Sequence, residues 1–109
     1  MEDPVIDNFS VSEDMQRHSK DAANLLKSLA NQHRLLILCS LVAGELSVGE
    51  LNEMIPLSQS SLSQHLASLR QGGLVKTRRE SQTIYYSLSG DEAIKIIEVL
   101  QSIYCPELG

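Results

Sequence analysis

The chain has 109 residues, of which 42% are hydrophobic, and its 14 acidic and 9 basic side chains give a net charge of −5. This length predicts one domain that would gain buried surface by dimerising. No run of 18 apolar residues and no charged-then-apolar leader is present, so we expect a cytosolic chain without a membrane partner. Two cysteines, 66 positions apart, exclude a disulfide-dense scaffold and a four-cysteine zinc cage.

The charge is distributed unevenly along the chain. Four basic residues and one acidic residue lie in residues 58–88, a net charge of +3, so the rest of the chain carries −8. The overall negative charge argues against nucleic acid as a partner, whereas a local basic face is what contacts phosphate. On charge alone the alternative is an ordinary solvated surface. With no Trp and one Phe, the chain is poorly equipped to stack on single strands.

The first 12 residues are acidic, contain Pro4 and show no period, which predicts a flexible arm. Apolar residues then recur every three or four positions, which predicts an amphipathic helix from Glu13 to Ala30. Asn31 is placed to cap a second helix. Apolar side chains surround that helix almost completely and predict that it lies in the core, and Gly44 ends it.

Two further helices are separated by a proline. Ser47 followed by Glu50 matches a capping box and predicts a short helix through residue 54. Pro56 cannot continue that helix. Ser58 is placed to cap the next helix, which the glycines at 72–73 end. Two helices joined by so short a turn predict a helix-turn-helix.

After residue 73 the apolar period changes to two. Residues 74–78 and 83–88 are predicted to be strands joined by a polar turn at 79–82, with Ile84, Tyr86 and Leu88 on one face. The predicted fold class is therefore mostly α with a small β-hairpin wing, in the order α-α-α-α-β-β-α.

A last helix is predicted from Asp91 to Cys105, opened by a capping box of Ser89 and Glu92 and ended by Pro106. Its apolar stripe is wider than a small core needs, so we expect part of it to meet a second copy in a homodimer. The predicted organisation is an arm (1–12), a winged helix-turn-helix domain (13–105) and a tail (106–109).

The second helix of the pair carries the side chains that predict DNA binding. Gln can bond adenine through two hydrogen bonds, Ser can bond a base edge or a phosphate, and a helix N-terminus favours phosphate. No Asp or Glu occurs from residue 57 to 75. The candidate DNA-binding residues on this helix are Gln59, Ser60, Ser61, Ser63, Gln64 and His65.

The hairpin carries Arg78, Arg79 and Gln82 near its tip, which is typical of a wing that contacts the backbone or the minor groove. Capping alone explains Ser58. For His65 two interpretations stay open, a base or phosphate contact and a buried bond to backbone. The predicted partner is a double-stranded, palindromic DNA operator.

Two segments resemble the ArsR/SmtB family of winged-helix repressors, namely residues 29–38 (LANQHRLLIL) and residues 57–66 (LSQSSLSQHL). The downstream Leu-Arg, Gly-Leu-Val and Tyr-Tyr-Ser-Leu segments extend the resemblance over about residues 15–105. It implies a homodimer built on the first and last helices, with recognition helices in successive major grooves. Arg34 matches the family's conserved arginine, for which a structural role is favoured over a phosphate contact.

Many family members sense metals, but the residues argue against a metal here. The cysteines of one family site are replaced by Ser47 and Gly49, and the last helix lacks the histidine of the other. No cofactor is expected. Cys39 and Cys105 resemble instead the pair in the HlyU/BigR/SqrR-like subgroup, which implies sensing of persulfides or oxidants. The alternative is two buried, inert side chains, as free cysteines often are.

Three functions follow from these features. The first is a repressor released from its operator when Cys39 and Cys105 are linked by a reactive sulfur species or an oxidant. The second is an antirepressor that displaces another DNA-binding protein and senses no small molecule. The third, a thiol enzyme, is disfavoured because the sequence shows no Cys-X-X-Cys motif and no nucleophile with a catalytic partner. We therefore expect a non-enzyme.

Overall fold

The computed structural model describes residues 12–108, so the predicted arm lies outside the described residues except for Ser12. The helices are α1 (Glu13–Leu29), α2 (Gln32–Leu41), α3 (Val48–Met54), α4 (Gln59–Gln71) and α5 (Glu92–Tyr104), followed by a 3-10 turn (Pro106–Leu108). The strands are β1 (Leu46–Ser47), β2 (Val75–Glu80) and β3 (Thr83–Leu88), ordered β1-β3-β2 and antiparallel. The predicted fold class is confirmed.

Local capping chemistry starts three of the helices where it was predicted. The Asn31 side chain accepts hydrogen bonds from two amides of α2. Ser47 and Glu50 form the reciprocal capping box of α3, and Ser58 caps α4 by accepting from the amide of Ser61. Gly73 adopts a φ of 78° at the end of α4, a conformation that favours glycine. Ser12 adds a cap that was not predicted, at the start of α1.

The capping box predicted from Ser89 and Glu92 is wrong. The N-cap of α5 is Asp91, which makes no side-chain capping bond. The amide of Ser89 donates to the carbonyl of Leu74, so its backbone belongs to the end of the sheet. Gly90 then turns the chain with a φ of 78°. Because its backbone is bonded to the sheet, Ser89 lies two residues before the N-cap position and does not cap α5.

The core is built around α4. Leu62, Leu66 and Leu69 are fully buried on one side of this helix and pack with α2, α3 and α5. On α2, Ile37, Leu38 and Leu41 are buried and Leu35 is half-buried, whereas Leu36 and Cys39 are exposed. The prediction that α2 lies in the core therefore holds for one face of the helix, and apolar side chains on its other face are exposed.

The hairpin is longer than predicted. The ladder runs from Val75 opposite Leu88 to Glu80 opposite Thr83, so the residues at 79–80 belong to the strand. The turn is reduced to residues 81–82, and Ser81 takes a φ of 60°. Strand β1 was not predicted because two residues show no period.

No helix within residues 12–108 is long and apolar enough to cross a membrane.

Candidate nucleic-acid interface and cysteine groove

Helix α4 buries its leucines and leaves a polar face exposed. Four of the predicted DNA-binding residues lie on this exposed face: Gln59, Ser60, Ser63 and Gln64. Ser61 is half-buried, and its amide is bonded to the cap at Ser58. The exposed set offers donors and acceptors from the first two turns, the part of a recognition helix that reaches base edges.

His65 lies at the border of the buried face and points toward α2. Its ring is half-buried, with its centroid 5.9 Å from that of His33. Burial, followed by the charges of Arg34 and His33, lowers the pKa of His65. The structure thus places the His65 ring between the two helices, separate from the four exposed residues.

Arg34, near the start of α2, lies in the same region as His33 and His65. One guanidinium nitrogen, Nη1, donates to the carbonyl of Ser28 at 3.2 Å, which ties α2 to the end of α1. Its Nε is buried and has no hydrogen-bond partner among the described residues. These contacts support the structural role that the sequence favoured.

The two adjacent arginines of the wing lie on opposite faces of the hairpin. Arg79 is paired across the ladder with Ile84, and Arg78 is paired with Tyr85. Directly opposed residues of an antiparallel pair share a face, and neighbours along a strand alternate. Arg79 therefore shares its face with Ile84 and Tyr86, and these two residues line the groove next to α4.

That groove separates the wing from the recognition helix. It is open, is lined by both polar and apolar side chains, and has a volume of about 540 Å³. Gln59 and Ser63 line it from α4, and Gln82 and Thr83 line it from the tip of the wing. Three of the predicted DNA-binding residues are thus brought to one concave surface, which we call the α4–wing groove.

Arg78 is held on the other face of the wing. Its Nε donates to Oε2 of Glu45 at 3.1 Å and its Nη2 donates to Oε1 at 2.6 Å. The guanidinium lies 4.7 Å from the ring centroid of Tyr85, and Nη1 lies 3.6 Å from a carboxylate oxygen of Glu80. The hydrogen bonds from Arg78 lower the pKa of the Glu45 carboxyl. Arg78 and Arg79, both predicted as DNA contacts of the wing, therefore differ in surroundings.

The fold brings the two cysteines together. Cys39, in the last turn of α2, and Cys105, the C-cap of α5, line one shallow groove of about 220 Å³. Both thiols are free. The other residues of this cysteine groove are Leu35, Ile97, Leu100, Gln101 and Tyr104.

The surroundings of the thiols disfavour the thiolate. Although the Cys39 side chain is exposed, the apolar groove desolvates its sulfur, which raises the pKa of Cys39, and negative charge on Cys105 raises it further. Both cysteines lie at helix C-termini, where the helix dipole opposes negative charge. The groove therefore does not favour a thiolate at Cys39.

Sequence reasoning missed Glu45, Tyr85 and His33 as partners of site residues. Glu45 is 33 positions from Arg78, so no local pattern connects them. For Tyr85 a signal was available, because strand alternation places it on the face opposite to Ile84. Within residues 12–108, no group of three or more His, Cys, Asp or Glu side chains could hold a metal ion.

Comparison with known proteins places the chain in a family. The family described as bacterial regulatory protein, arsR family, matches residues 24–77. Transcriptional activator HlyU of Vibrio cholerae is 54% identical over 93 residues, which cover 85% of this chain and 86% of that protein. The biofilm growth-associated repressor of Xylella fastidiosa is 43% identical over 95 residues, covering 87% of this chain and 83% of that protein.

A solved structure agrees with these relatives. Reduced HlyU from Vibrio cholerae superposes with a TM-score of 0.79 at 53% identity, over 86% of this chain and 99% of that chain. The relatives are transcriptional regulators and not enzymes. The chain therefore belongs to the arsR family of bacterial regulatory proteins and is a DNA-binding transcriptional regulator.

Proposed function

We propose that this regulator is a homodimer that binds a palindromic duplex operator and releases it when Cys39 and Cys105 become linked. The observation that carries the proposal is the shared groove of the two cysteines, which lie 66 positions apart in sequence. Linking them would tie α2, which packs on the recognition helix, to α5.

DNA contact is assigned to the exposed face of α4 and to the inner face of the wing. Gln59, Ser63 and Gln64 would read base edges, with Ser60 on a base or a phosphate. Arg79 would meet the sugar-phosphate backbone as it passes the α4–wing groove. His65 and Arg78 are left out of this contact set because they are engaged with other protein groups.

Dimerisation is supported by apolar side chains that the single chain leaves exposed. Met15 and Leu26 of α1 are 51% and 58% exposed, and Val99 and Ile103 of α5 are 58% and 59% exposed. A stripe of this kind on two helices is what a second copy would cover. The same helices form the dimer in the resemblance described above, and a dimer would hold two recognition helices about one turn of DNA apart.

The switch reaction is a two-electron oxidation of two thiols. One cysteine thiolate attacks a terminal sulfur of a polysulfide, takes that sulfur as a persulfide and expels the shortened polysulfide. The second thiolate then attacks the cysteine-bound sulfur of the persulfide, forms the Cys39–Cys105 disulfide and expels hydrosulfide. The polysulfide is the oxidant, and the two thiol protons pass to solvent and to the expelled sulfide.

A reactive sulfur species fits this groove better than peroxide. The raised pKa of Cys39 slows attack of its thiolate on either electrophile, so the preference rests on the link that each electrophile can form. A chain of sulfur atoms can lie along the open groove lined by Leu35, Ile97 and Leu100. It can also leave extra sulfur atoms in the link, which relaxes the limit of about 7 Å between Cα atoms of a direct disulfide.

The test combines intact-protein mass with an electrophoretic mobility shift on a selected operator. Wild type treated with polysulfide should gain an intramolecular link and lose operator affinity at least tenfold, which is about 1.4 kcal/mol. Cys39→Ser and Cys105→Ser should bind normally and stay bound after treatment. A thiol reductant should restore binding by the wild type. Release of either single variant by polysulfide would refute the two-cysteine switch.

A second candidate is an activator that displaces another DNA-binding protein and does not use the cysteines. The similarity to transcriptional activator HlyU of Vibrio cholerae favours it. In that case polysulfide would leave operator affinity unchanged, and the protein would compete with a second protein for the same duplex. The mobility shift described above separates the two candidates.

A further inference from the structure

The wing is joined to the helical body at two places beyond its own hairpin. The first is backbone pairing of β1 with β3, at Leu46 opposite Tyr86 and Ser47 opposite Tyr85. The second is the two-bond contact between Arg78 and Glu45, the residue that directly precedes β1. Both joints therefore connect the hairpin to the same short segment between α2 and α3.

The contact at Arg78 uses most of its guanidinium. Two nitrogens bond the Glu45 carboxylate, the third lies 3.6 Å from Glu80, and the plane lies over the ring of Tyr85. A planar guanidinium that donates two hydrogen bonds to one carboxylate fixes the orientation of the two side chains as well as their distance, whereas an ammonium group would fix only the distance. Arg78 also stands on the face of the hairpin opposite to Arg79, the wing's proposed phosphate contact.

We propose that Glu45 and Arg78 are positioning residues for DNA binding, which set the angle between the wing and helix α4 and do not themselves contact DNA. The inference rests on the proposed DNA surface. It assigns to a basic wing residue a role that the basic charge alone would not suggest. It also explains why a carboxylate stands beside a wing that approaches phosphates: Arg78 neutralises it in place.

The direction in which Glu45→Gln changes operator affinity distinguishes a positioning role from a phosphate contact by Arg78. If Arg78 were a phosphate ligand restrained by Glu45, removing the carboxylate would free the arginine and tighten binding, with a steeper dependence on salt. If the pair positions the wing, the same change loosens the wing. Operator binding then weakens by about two- to fivefold, the range of an exposed ion pair, although a negative charge has been removed.

The experiment measures affinity for a selected operator over a range of salt concentrations, for full-length wild type, Glu45→Gln, Arg78→Gln, Arg78→Lys and the double Gln variant. Support requires weaker binding by both single Gln variants, an unchanged salt slope, and a double variant no weaker than the singles. Arg78→Lys should also bind weakly, because it keeps the charge but loses the fork and the stacking on Tyr85.

Glu80→Gln serves as the matched control. Like Glu45→Gln it removes one negative charge, but the only contact with Arg78 that it weakens is the one at 3.6 Å. Its operator binding should therefore equal or exceed that of wild type. Tighter or unchanged binding by Glu45→Gln would overturn the inference, and so would a lower salt slope for Arg78→Gln or full affinity for Arg78→Lys. Failure of the DNA surface itself would appear separately, as normal binding by Arg79→Gln.

Discussion

Arg79→Gln should weaken binding to every duplex and reduce its dependence on salt, because this side chain shares the face of Ile84 beside the α4–wing groove. The logarithm of affinity falls with the logarithm of salt concentration by about 0.9 for each phosphate neutralised. Between about 50 mM and about 200 mM salt, one such contact changes affinity by a factor of about 3.5. A dimer with two wings loses two contacts, which corresponds to a factor of about 12.

The assay is fluorescence anisotropy of a labelled duplex of fixed length, titrated with protein at four or more salt concentrations. Wild type and Arg79→Gln should differ most at low salt and converge as salt rises. Lys20→Gln is the matched control, since it removes one exposed charge from α1, away from the wing and from the face of α1 that carries Met15 and Leu26. Equal salt slopes for wild type and Arg79→Gln would show that the inner face of the wing meets no phosphate. A slope change of about 0.9 instead of about 1.8 would contradict the dimer.

Four further predictions follow from the same structure. Gln64→Ala should cost about 1–3 kcal/mol on the selected operator and little on an unrelated duplex, as measured by competition binding. The rate at which polysulfide modifies Cys39, followed by mass, should rise with pH beyond the usual thiol range, because its raised pKa leaves little thiolate near neutral pH. Ile103→Glu should give monomers by sedimentation and lose operator affinity, since this residue is 59% exposed on the proposed dimer face; a folded monomer with full affinity would contradict the proposal. Ser81→Val should lower the free energy of unfolding in urea by about 1–2 kcal/mol relative to Ser81→Gly, because the φ of 60° at the turn is strained for a branched side chain.

Features that depend on a few neighbouring residues were predictable from the sequence. Asn31, Ser47 and Ser58 cap helices where they were expected to, because a capping bond needs only a short polar side chain and the next three amides. Gly73 ends α4 for an equally local reason, its freedom to adopt positive φ. The exposed face of α4 followed from the spacing of its leucines.

Local patterns failed where strand pairing competed for the same backbone. Ser89 carries the same signature as Ser47, but the carbonyl of Leu74 takes its amide and the helix begins later. The ladder extended β2 through Arg79 and Glu80, although these polar residues resembled a turn. In both cases the pairing of β2 with β3 decided the outcome, because its hydrogen bonds fix the backbone on both sides of the hairpin.

The sequence by itself determined the winged helix-turn-helix, its caps and the polar face of α4, because these depend on period and on contacts within a few residues. Only the tertiary structure decided which arginine of the wing is bound to Glu45, which histidine meets α4, and that Cys39 and Cys105 line one groove. Those contacts join residues separated by 33, 32 and 66 positions. Proximity over such distances arises from the packing of α2, α4, α5 and the sheet around a common core, which no local pattern encodes.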